Sequence, residues 1–245
     1  MVTASIVLYK ENIHVLKKTI DSFLSTPIEK KLFLIDNSPT NILEKHFKHI
    51  NIEYLFVGEN IGFGRAHNLI LKELTSSFHL ILNRDVEFSS NLIPDLIIQL
   101  KNCDDVSFIS PKVTYPNSSF QYICRKHPTF LDLLNRKLKF SKKLIQKNEY
   151  RSRDLNKTFY PEFIQGCFML FKTADFKNLN GFDERFFLYM EDADICRRIE
   201  ESGKKILYFP DIKIIHYHQR GSSKKIKLFF YHFSSAIKYF SKWRF

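Results

Sequence analysis

The sequence predicts an α/β protein with a mostly parallel central sheet and helices on both faces. Three observations carry this expectation. Short apolar runs alternate with helix-period segments through the first hundred residues, polar clusters close those runs at a common register, and no repeat or low-complexity linker intervenes. At 245 residues and 44% hydrophobic content the chain suits one such domain with an appendage and is short for two.

In order, the strand-like runs are Ala4–Tyr9, Leu32–Ile35, Ile52–Val57 and Phe78–Leu82, and the helical patterns between and after them are Asn12–Ser25, Ile42–Lys48, Ala66–Leu74 and Leu92–Leu100. Tyr9 and Glu11 follow the first strand, Asp36, Asn37 and Ser38 the second, and Asn83, Arg84 and Asp85 the fourth. Ligands of open α/β sheets bind outside the carboxyl ends of the strands, so these three sets are expected to converge. After Ser110 the rhythm turns irregular, basic and aromatic. Residues 111–165 are the expected place for an acceptor site or a mobile loop. A further strand, Cys167–Phe171, then leads into GFDERFFLYMEDADICRR (181–198), where Glu191, Asp192 and Asp194 open a helix running to about Ser202 and stopped by Gly203.

Charge and cysteines bound the function classes. The net charge of +12 is uneven: residues 125–157 carry +8 and residues 223–245 carry +6, which leaves −2 for the rest. Such surfaces suit nucleic acid or anionic lipid equally. Cys103, Cys124, Cys167 and Cys196 form no C-x-x-C pair, which argues against a disulfide framework or a cysteine-built zinc site and fits a reducing cytosol. No apolar run approaches the roughly 20 residues that span a bilayer, and the chain opens on strand-like TASIVLY, so a protein that neither crosses a membrane nor is exported is expected.

Four motifs carry candidate chemistry. Carboxylates clustered beside Phe186, Phe187 and Tyr189 bear a desolvation cost, which makes the Glu191, Asp192 and Asp194 cluster a place for a general base, although the same acids also cap a helix. GENIGFGRAHN (58–68) sets Gly62 and Gly64 at a strand-to-helix turn ahead of Arg65 and Asn68, a place for a nucleotide phosphate or an ordinary glycine turn. LILNRD (80–85) delivers Asp85 after an apolar strand, where a carboxylate can hold Mg²⁺ or Mn²⁺. DIKIIHYHQRGS (211–222) carries His216, which gains meaning if it faces Asp85, and His218, read as structural or solvent-facing. Last, Phe229, Phe233, Ile237, Phe240 and Trp243 mark one stripe of a basic amphipathic helix, suited either to an anionic membrane or to the protein body.

Taken together and in this order, SIVLYKEN, LFLIDNS, GENIGFGRAHN, LILNRD, FIQGCFMLF, GFDERFFLYMEDADICRR and IIHYHQRGS resemble the family 2 glycosyltransferases of the GT-A fold, especially bacterial rhamnosyltransferase-like enzymes of O-antigen and capsule assembly. The resemblance implies a transferase domain over residues 1–222, with a nucleotide-binding half (1–110) and an acceptor and catalytic half (111–222), followed by a basic helix over 223–245. It implies that Val7, Tyr9, Glu11, Asp36 and Asn37 line the base and ribose pocket, and that Asn60, Gly62, Arg65 and Asn68 approach the nucleotide and its diphosphate. Asn83 and Arg84 would adjoin the donor, Asp85 and His216 would hold the cation, Gly166 and Cys167 would lie beside the sugars, and Asp192 would be the catalytic base, helped by Glu191. Arg84 stands where relatives carry proline, which sets a cation beside the proposed metal site.

The implied activity is inverting transfer of a sugar, rhamnose first, from a dTDP- or UDP-sugar to a glycan or lipid-linked acceptor. A divalent cation, Mn²⁺ or Mg²⁺, would assist on the cytoplasmic face of the inner membrane, with no nucleic acid partner. The rivals are a nucleotidyl or phosphosugar transferase, which leaves Glu191 and Asp192 without a role, and a basic nucleic-acid-binding protein.

Overall fold

A computed structural model describes residues 1–217 and 226–243. Strand β1 (Val2–Leu8) is buried along nearly its whole length, since it lies between two parallel neighbours under helices, and a strand covered on both faces reads as a continuous apolar run. Helix α1 (Ile13–Leu24) starts where the Asn12 side chain accepts the His14 N–H at 2.9 Å, and it turns Leu16, Ile20 and Phe23 inward. Then come β2 (Lys30–Asp36), β3 (Ile52–Phe56), α2 (Phe63–Asn68), β4 (Phe78–Leu82), β5 (Val86–Glu87), α3 (Leu92–Lys101) and β6 (Val106–Thr114). The second half contributes β7 (Cys124–Arg125), α4 (Phe130–Leu138), α5 (Lys142–Asn148), β8 (Phe163–Ile164), β9 (Phe168–Lys172), α6 (Thr173–Asn178), α7 (Glu191–Glu201), β10 (Lys205–His216) and α8 (Ile226–Trp243).

The main sheet has the order β3-β2-β1-β4-β9-β6-β10-β5. Its β3/β2, β2/β1, β1/β4 and β6/β10 pairs are parallel, whereas β9 is antiparallel to β4 and β6, and β5 to β10. Chain order reverses at β1, whose two neighbours are β2 and β4, and this is where an open sheet forms its ligand crevice. Because β9 runs backwards, Gly166 and Cys167 at its entrance share the edge reached by the carboxyl ends of β1, β4 and β10. This reversal brings the second half of the sequence to the first half's crevice.

Two expected helices differ. Ile42–Lys48 forms only a 3₁₀ turn at Glu44–His46. Ala66–Leu74 divides into α2, which begins earlier at Phe63, and a 3₁₀ turn at Leu71–Glu73. The segment 111–165 holds the end of β6, the two-stranded β7/β8 ribbon and helices α4 and α5. Helix α4 has a reciprocal cap, with Thr129 Oγ1 accepting the Asp132 N–H at 3.1 Å and Asp132 Oδ2 accepting the Thr129 N–H at 3.2 Å.

A ladder of phenylalanines ties the sheet to the loop before α7: Phe108 to Phe171 at 4.7 Å, Phe171 to Phe176 at 4.9 Å and Phe176 to Phe182 at 5.6 Å between ring centroids. Aromatic pairs at these separations add to the burial of their area and make the loop part of the core.

Candidate active site

At the edge shared by β4, β9 and β10, His216 Nε2 lies 3.2 Å from Asp85 Oδ1, and both side chains are buried. Gln121 fixes the imidazole. Its Nε2 donates to the carbonyls of His216 (2.7 Å) and Thr114 (3.3 Å), so its Oε1 faces His216 Nδ1 at 3.0 Å. The proton therefore belongs on Nδ1, and Nε2 is the nitrogen left to face Asp85. Burial opposes a charge on His216, but Cys167 and Asp85, by charge and hydrogen bond, outweigh it and raise its pKa to about 10, so Nε2 also carries a proton towards Asp85, and a cation bound there would take that proton's place.

Among the described residues no group of three or more His, Cys, Asp or Glu is arranged around a cation. Asp85 and His216 nevertheless fit one. A carboxylate and an imidazole suit a first-row divalent ion, and adjacent ligands of an octahedral ion with bonds of about 2.1 Å lie about 3 Å apart.

Cys167 touches His216, and its neighbour Gly166 donates its backbone N–H to Asp192 Oδ2 at 3.1 Å. The Ala193 N–H binds Asp192 Oδ1 at 2.9 Å. Two residues thus bridge the Asp85–His216 pair to Asp192. Burial raises the pKa of Asp192 above the ordinary carboxylate value, while the Gly166 and Ala193 N–H groups and the Arg125 charge pull against that rise. A half-buried carboxylate with an elevated proton affinity is the property of a general base.

Glu191, expected beside Asp192 as its helper, opens α7 and faces inward. Its side chain is 6% exposed and packs towards Gly64 of α2, with Oε2 buried and unpartnered among the described residues. Burial, and then the charge of Asp192, push its pKa well above the ordinary carboxylate range.

Other expected nucleotide contacts are engaged with the protein. Asp36 is fully buried and accepts from the Tyr54 hydroxyl and, at 2.9 Å, from the Ser38 N–H. Asn37 Nδ2 donates to the Gly62 carbonyl at 3.0 Å, and Asn60 Oδ1 accepts the Gly62 N–H at 3.1 Å. Asn68 grips both backbone groups of Phe182, at 2.7 and 2.9 Å, and Arg65 faces Glu184 at 3.6 Å. These hydrogen bonds shape the crevice, while Asn37 Oδ1 is buried without a partner among the described residues and Asn60 stays exposed. Arg84 Nε is paired with the Glu11 carboxylate, which partly neutralises its charge. Burial pushes Glu11 up to about 7, against the pull of Arg84. Tyr9 is exposed and Val7 half-buried at the crevice, and the Asn83 N–H donates to the Cys167 carbonyl at 2.9 Å.

Gly62 holds the loop before α2 against the loop before α7. Its φ is +96°, and a Cβ there would lie 2.5 Å from the Phe187 carbonyl oxygen, which itself accepts the Phe63 N–H at 2.9 Å. Just beyond, Tyr189 and Met190 both adopt left-handed backbone (φ 69° and 71°), a strained entry to α7.

Helix α8 braces that entry. Ser235 Oγ donates to the Leu188 carbonyl at 2.9 Å, the His232 ring meets Tyr189, and Lys242 Nζ and Trp243 Nε1 bind Asp194 Oδ1 at 2.6 and 3.1 Å. Asp194, fully buried, also takes Arg198 Nε at 2.8 Å. The expected single apolar stripe is split: Phe240 and Trp243 pack on the body around fully buried Tyr239, while Ile226, Phe230, Phe233 and Ile237 stay exposed. His218 lies outside the described residues.

Comparison with known proteins gives this geometry its setting. The profile of glycosyl transferase family 2 matches residues 3–179, well over half of the chain, and that of the N-terminal domain of galactosyltransferase matches residues 152–221. The chain belongs to glycosyl transferase family 2. It is 26% identical to rhamnosyltransferase WbbL of Escherichia coli (strain K12) over 94% of this chain and 89% of that protein. It is 24% identical to an N-acetylglucosaminyl-diphospho-decaprenol L-rhamnosyltransferase of Mycobacterium tuberculosis over 87% of this chain and 76% of that one. Among solved structures, GalNAc-T7 with UDP, GalNAc and Mn²⁺ superposes with a TM-score of 0.68 at 16% identity, covering 90% of this chain. The mannosyltransferase PcManGT of Pyrobaculum calidifontis, in complex with GDP-Man and Mn²⁺, gives 0.64 at 17% identity over 97% of this chain. This chain spans 44% and 64% of those two proteins. The fold of this glycosyltransferase is therefore GT-A.

Gln121, Arg125, Tyr54 and Phe187 complete the site, and their importance was not visible in the sequence. Each acts through a partner more than 15 residues away, so no local pattern announces it.

Proposed function

We propose that this glycosyltransferase moves rhamnose from dTDP-rhamnose, with inversion, to a hydroxyl of a lipid-linked glycan. The observation that carries the reading is the short bridge from the Asp85–His216 pair through Cys167 and Gly166 to the Asp192 carboxylate. In this reading Asp192 removes the proton from the acceptor hydroxyl as its oxygen attacks the anomeric carbon. The bond from that carbon to the diphosphate breaks on the opposite face, and its electron pair leaves with the diphosphate. General-base assistance of this kind is worth about 10² to 10⁴ in rate.

Asp85 and His216 would hold a divalent cation, with Mn²⁺ preferred in vitro because imidazole suits it better than Mg²⁺. Bound there, the cation supplies Lewis-acid stabilisation of the charge gathering on the leaving diphosphate. The Gly62 turn and the side chains of Asn37 and Asn68 keep the donor-side loop closed against residues 181–190. Rhamnose and a lipid-linked acceptor are favoured by the relatives from Escherichia coli and Mycobacterium tuberculosis.

Among the described residues no helix is long and apolar enough to cross a membrane. Peripheral contact with the anionic cytoplasmic face of the inner membrane through the exposed side of α8 fits its apolar residues and the +6 charge of residues 223–245. Nucleotide release from a panel of dTDP- and UDP-sugars, with and without Mn²⁺, tests the reading. Cation-dependent turnover of dTDP-rhamnose with a lipid-linked acceptor is expected, and no turnover of any donor with any such acceptor refutes it. For the membrane contact, replacing Phe230, Phe233 and Ile237 by serine abolishes flotation with phosphatidylglycerol vesicles; retained flotation refutes that contact.

A further inference from the structure

We propose that Arg125 and Arg136 form an anion site for the phosphate of a lipid-linked acceptor, placed between the catalytic base and the seam of α4 and α8. The inference rests on the transfer reading above and adds to it the group by which the acceptor is held.

Arg125 lies next to the base by construction. It pairs across the ribbon with Phe163 of β8, which leads through Gln165 to Gly166, the donor to Asp192. Its guanidinium is poorly served by the protein. Nη2 is 4.0 Å from Glu149 Oε1, and Nε is buried with no hydrogen-bond partner among the described residues. Buried guanidinium donors are ordinarily satisfied, so this one is built for a partner that arrives later. Glu149 is meanwhile engaged by Arg151, through Nη2 at 2.6 Å and Nε at 2.8 Å. One carboxylate therefore serves two guanidinium groups.

Arg136 of α4, next in the chain to the Lys137 that sits over the Phe229 ring of α8, adds to this excess. After burial, its repulsion is the main influence holding the Arg125 pKa down, to about 10, and it also disfavours a charge on His232 of α8. A planar guanidinium with free donors, reinforced by a second nearby, matches the oxygens of a phosphate or diphosphate.

The lipid side is adjacent. Phe130 of α4 meets Phe240 of α8 at 6.1 Å, while Lys137 Nζ sits 3.9 Å over the Phe229 ring, so the two helices run antiparallel. Beside that seam Leu134 and Leu138 on α4, and Phe230 and Phe233 on α8, are exposed. An acceptor whose phosphate rests on Arg125 and Arg136 presents its sugar to Asp192 and its lipid to this apolar surface.

The test compares one acceptor sugar offered as an alkyl diphosphate and as a neutral alkyl glycoside. The wild type is expected to favour the diphosphate in kcat/KM by about tenfold to a hundredfold, the value of charge-assisted hydrogen bonds. That preference collapses in Arg125→Gln and shrinks in the surface variant Arg136→Gln, through acceptor KM, with donor KM unchanged. An equal loss on both acceptors assigns Arg125 to tuning Asp192 and overturns the proposal, as does a preference that survives both substitutions. Thermal-shift titration with geranyl diphosphate at saturating nucleotide needs no turnover. Stabilisation of the wild type but not of Arg125→Gln supports the site even if transfer fails, whereas no stabilisation overturns it with transfer intact. Equal protection by phosphatidylglycerol vesicles reassigns the anion to membrane headgroups and also overturns it.

Discussion

Replacing Asp192 by asparagine separates the chemistry of the base from its architecture. The carboxylate accepts two backbone N–H groups, from Gly166 at 3.1 Å and Ala193 at 2.9 Å. Asparagine in the same rotamer keeps one acceptor and turns an NH₂ towards the other donor, leaving a buried N–H unpaired at a cost of about 1–3 kcal/mol of stability. The catalytic loss is larger: removing a general base costs about 10² to 10⁴ in rate, or roughly 2.7–5.4 kcal/mol of barrier at 1.36 kcal/mol per tenfold. Nucleotide release under saturating donor measures the second quantity, and a urea melt of the same preparation the first. The acidic limb of wild-type kcat/KM is expected above the ordinary aspartate range, because burial raises the Asp192 pKa. A companion variant, Gly166→Ala, sets a methyl 3.2 Å from Asp192 Cβ and 3.3 Å from Met169 Sδ, displacing the base without removing it, and lowers kcat while leaving donor KM alone. An Asp192→Asn enzyme working within tenfold of wild type refutes the assignment of the base.

The other expectations concern the frame around that base. Glu191 has a folded pKa raised above its unfolded value, so the stability it lends is complete below about pH 4.5 and is lost as the pH rises through the folded value. Glu191→Gln is therefore expected to raise the melting temperature at pH 8 and not at pH 4; an equal shift at both refutes a protonated Glu191. Asp194→Ala leaves Arg198 and Lys242 beside an empty partner and is expected to cost about 3–5 kcal/mol in chemical denaturation, with a loss under 1 kcal/mol counting against the latch. Gly62→Ala, strained at φ +96° and colliding with the Phe187 carbonyl, should weaken donor binding in calorimetry; unchanged affinity removes the loop contact from the donor site. Chelation should abolish nucleotide release and Mn²⁺ restore it in the wild type but not in Asp85→Asn, whose full rescue would argue against Asp85 as a ligand.

The α/β class, the chain order of the first four strands, the helix starting at Glu191 and the motifs that resembled the family were legible in the residues alone. These are local properties: apolar runs, a capping asparagine and turn glycines act within a few residues of themselves. Antiparallel β9 was not legible, because strand direction depends on which distant edge a run finds, and that reversal is what carries Gly166 and Cys167 to Asp85. Nor was the division of α8. Its apolar residues follow one helical period, and only the presence of Tyr189, Leu188 and Asp194 beneath it decides which of them are covered. Asn68 and Arg84 make the same point: a side chain's preferences are set by its chemistry, but its partner is set by contacts from more than a hundred residues away, as with Phe182, or from across the crevice, as with Glu11. Tertiary structure thus decided which polar groups were consumed in holding the crevice and which, such as Arg125 Nε, were buried without a partner among the described residues, because burial and pairing belong to the fold and not to the residue.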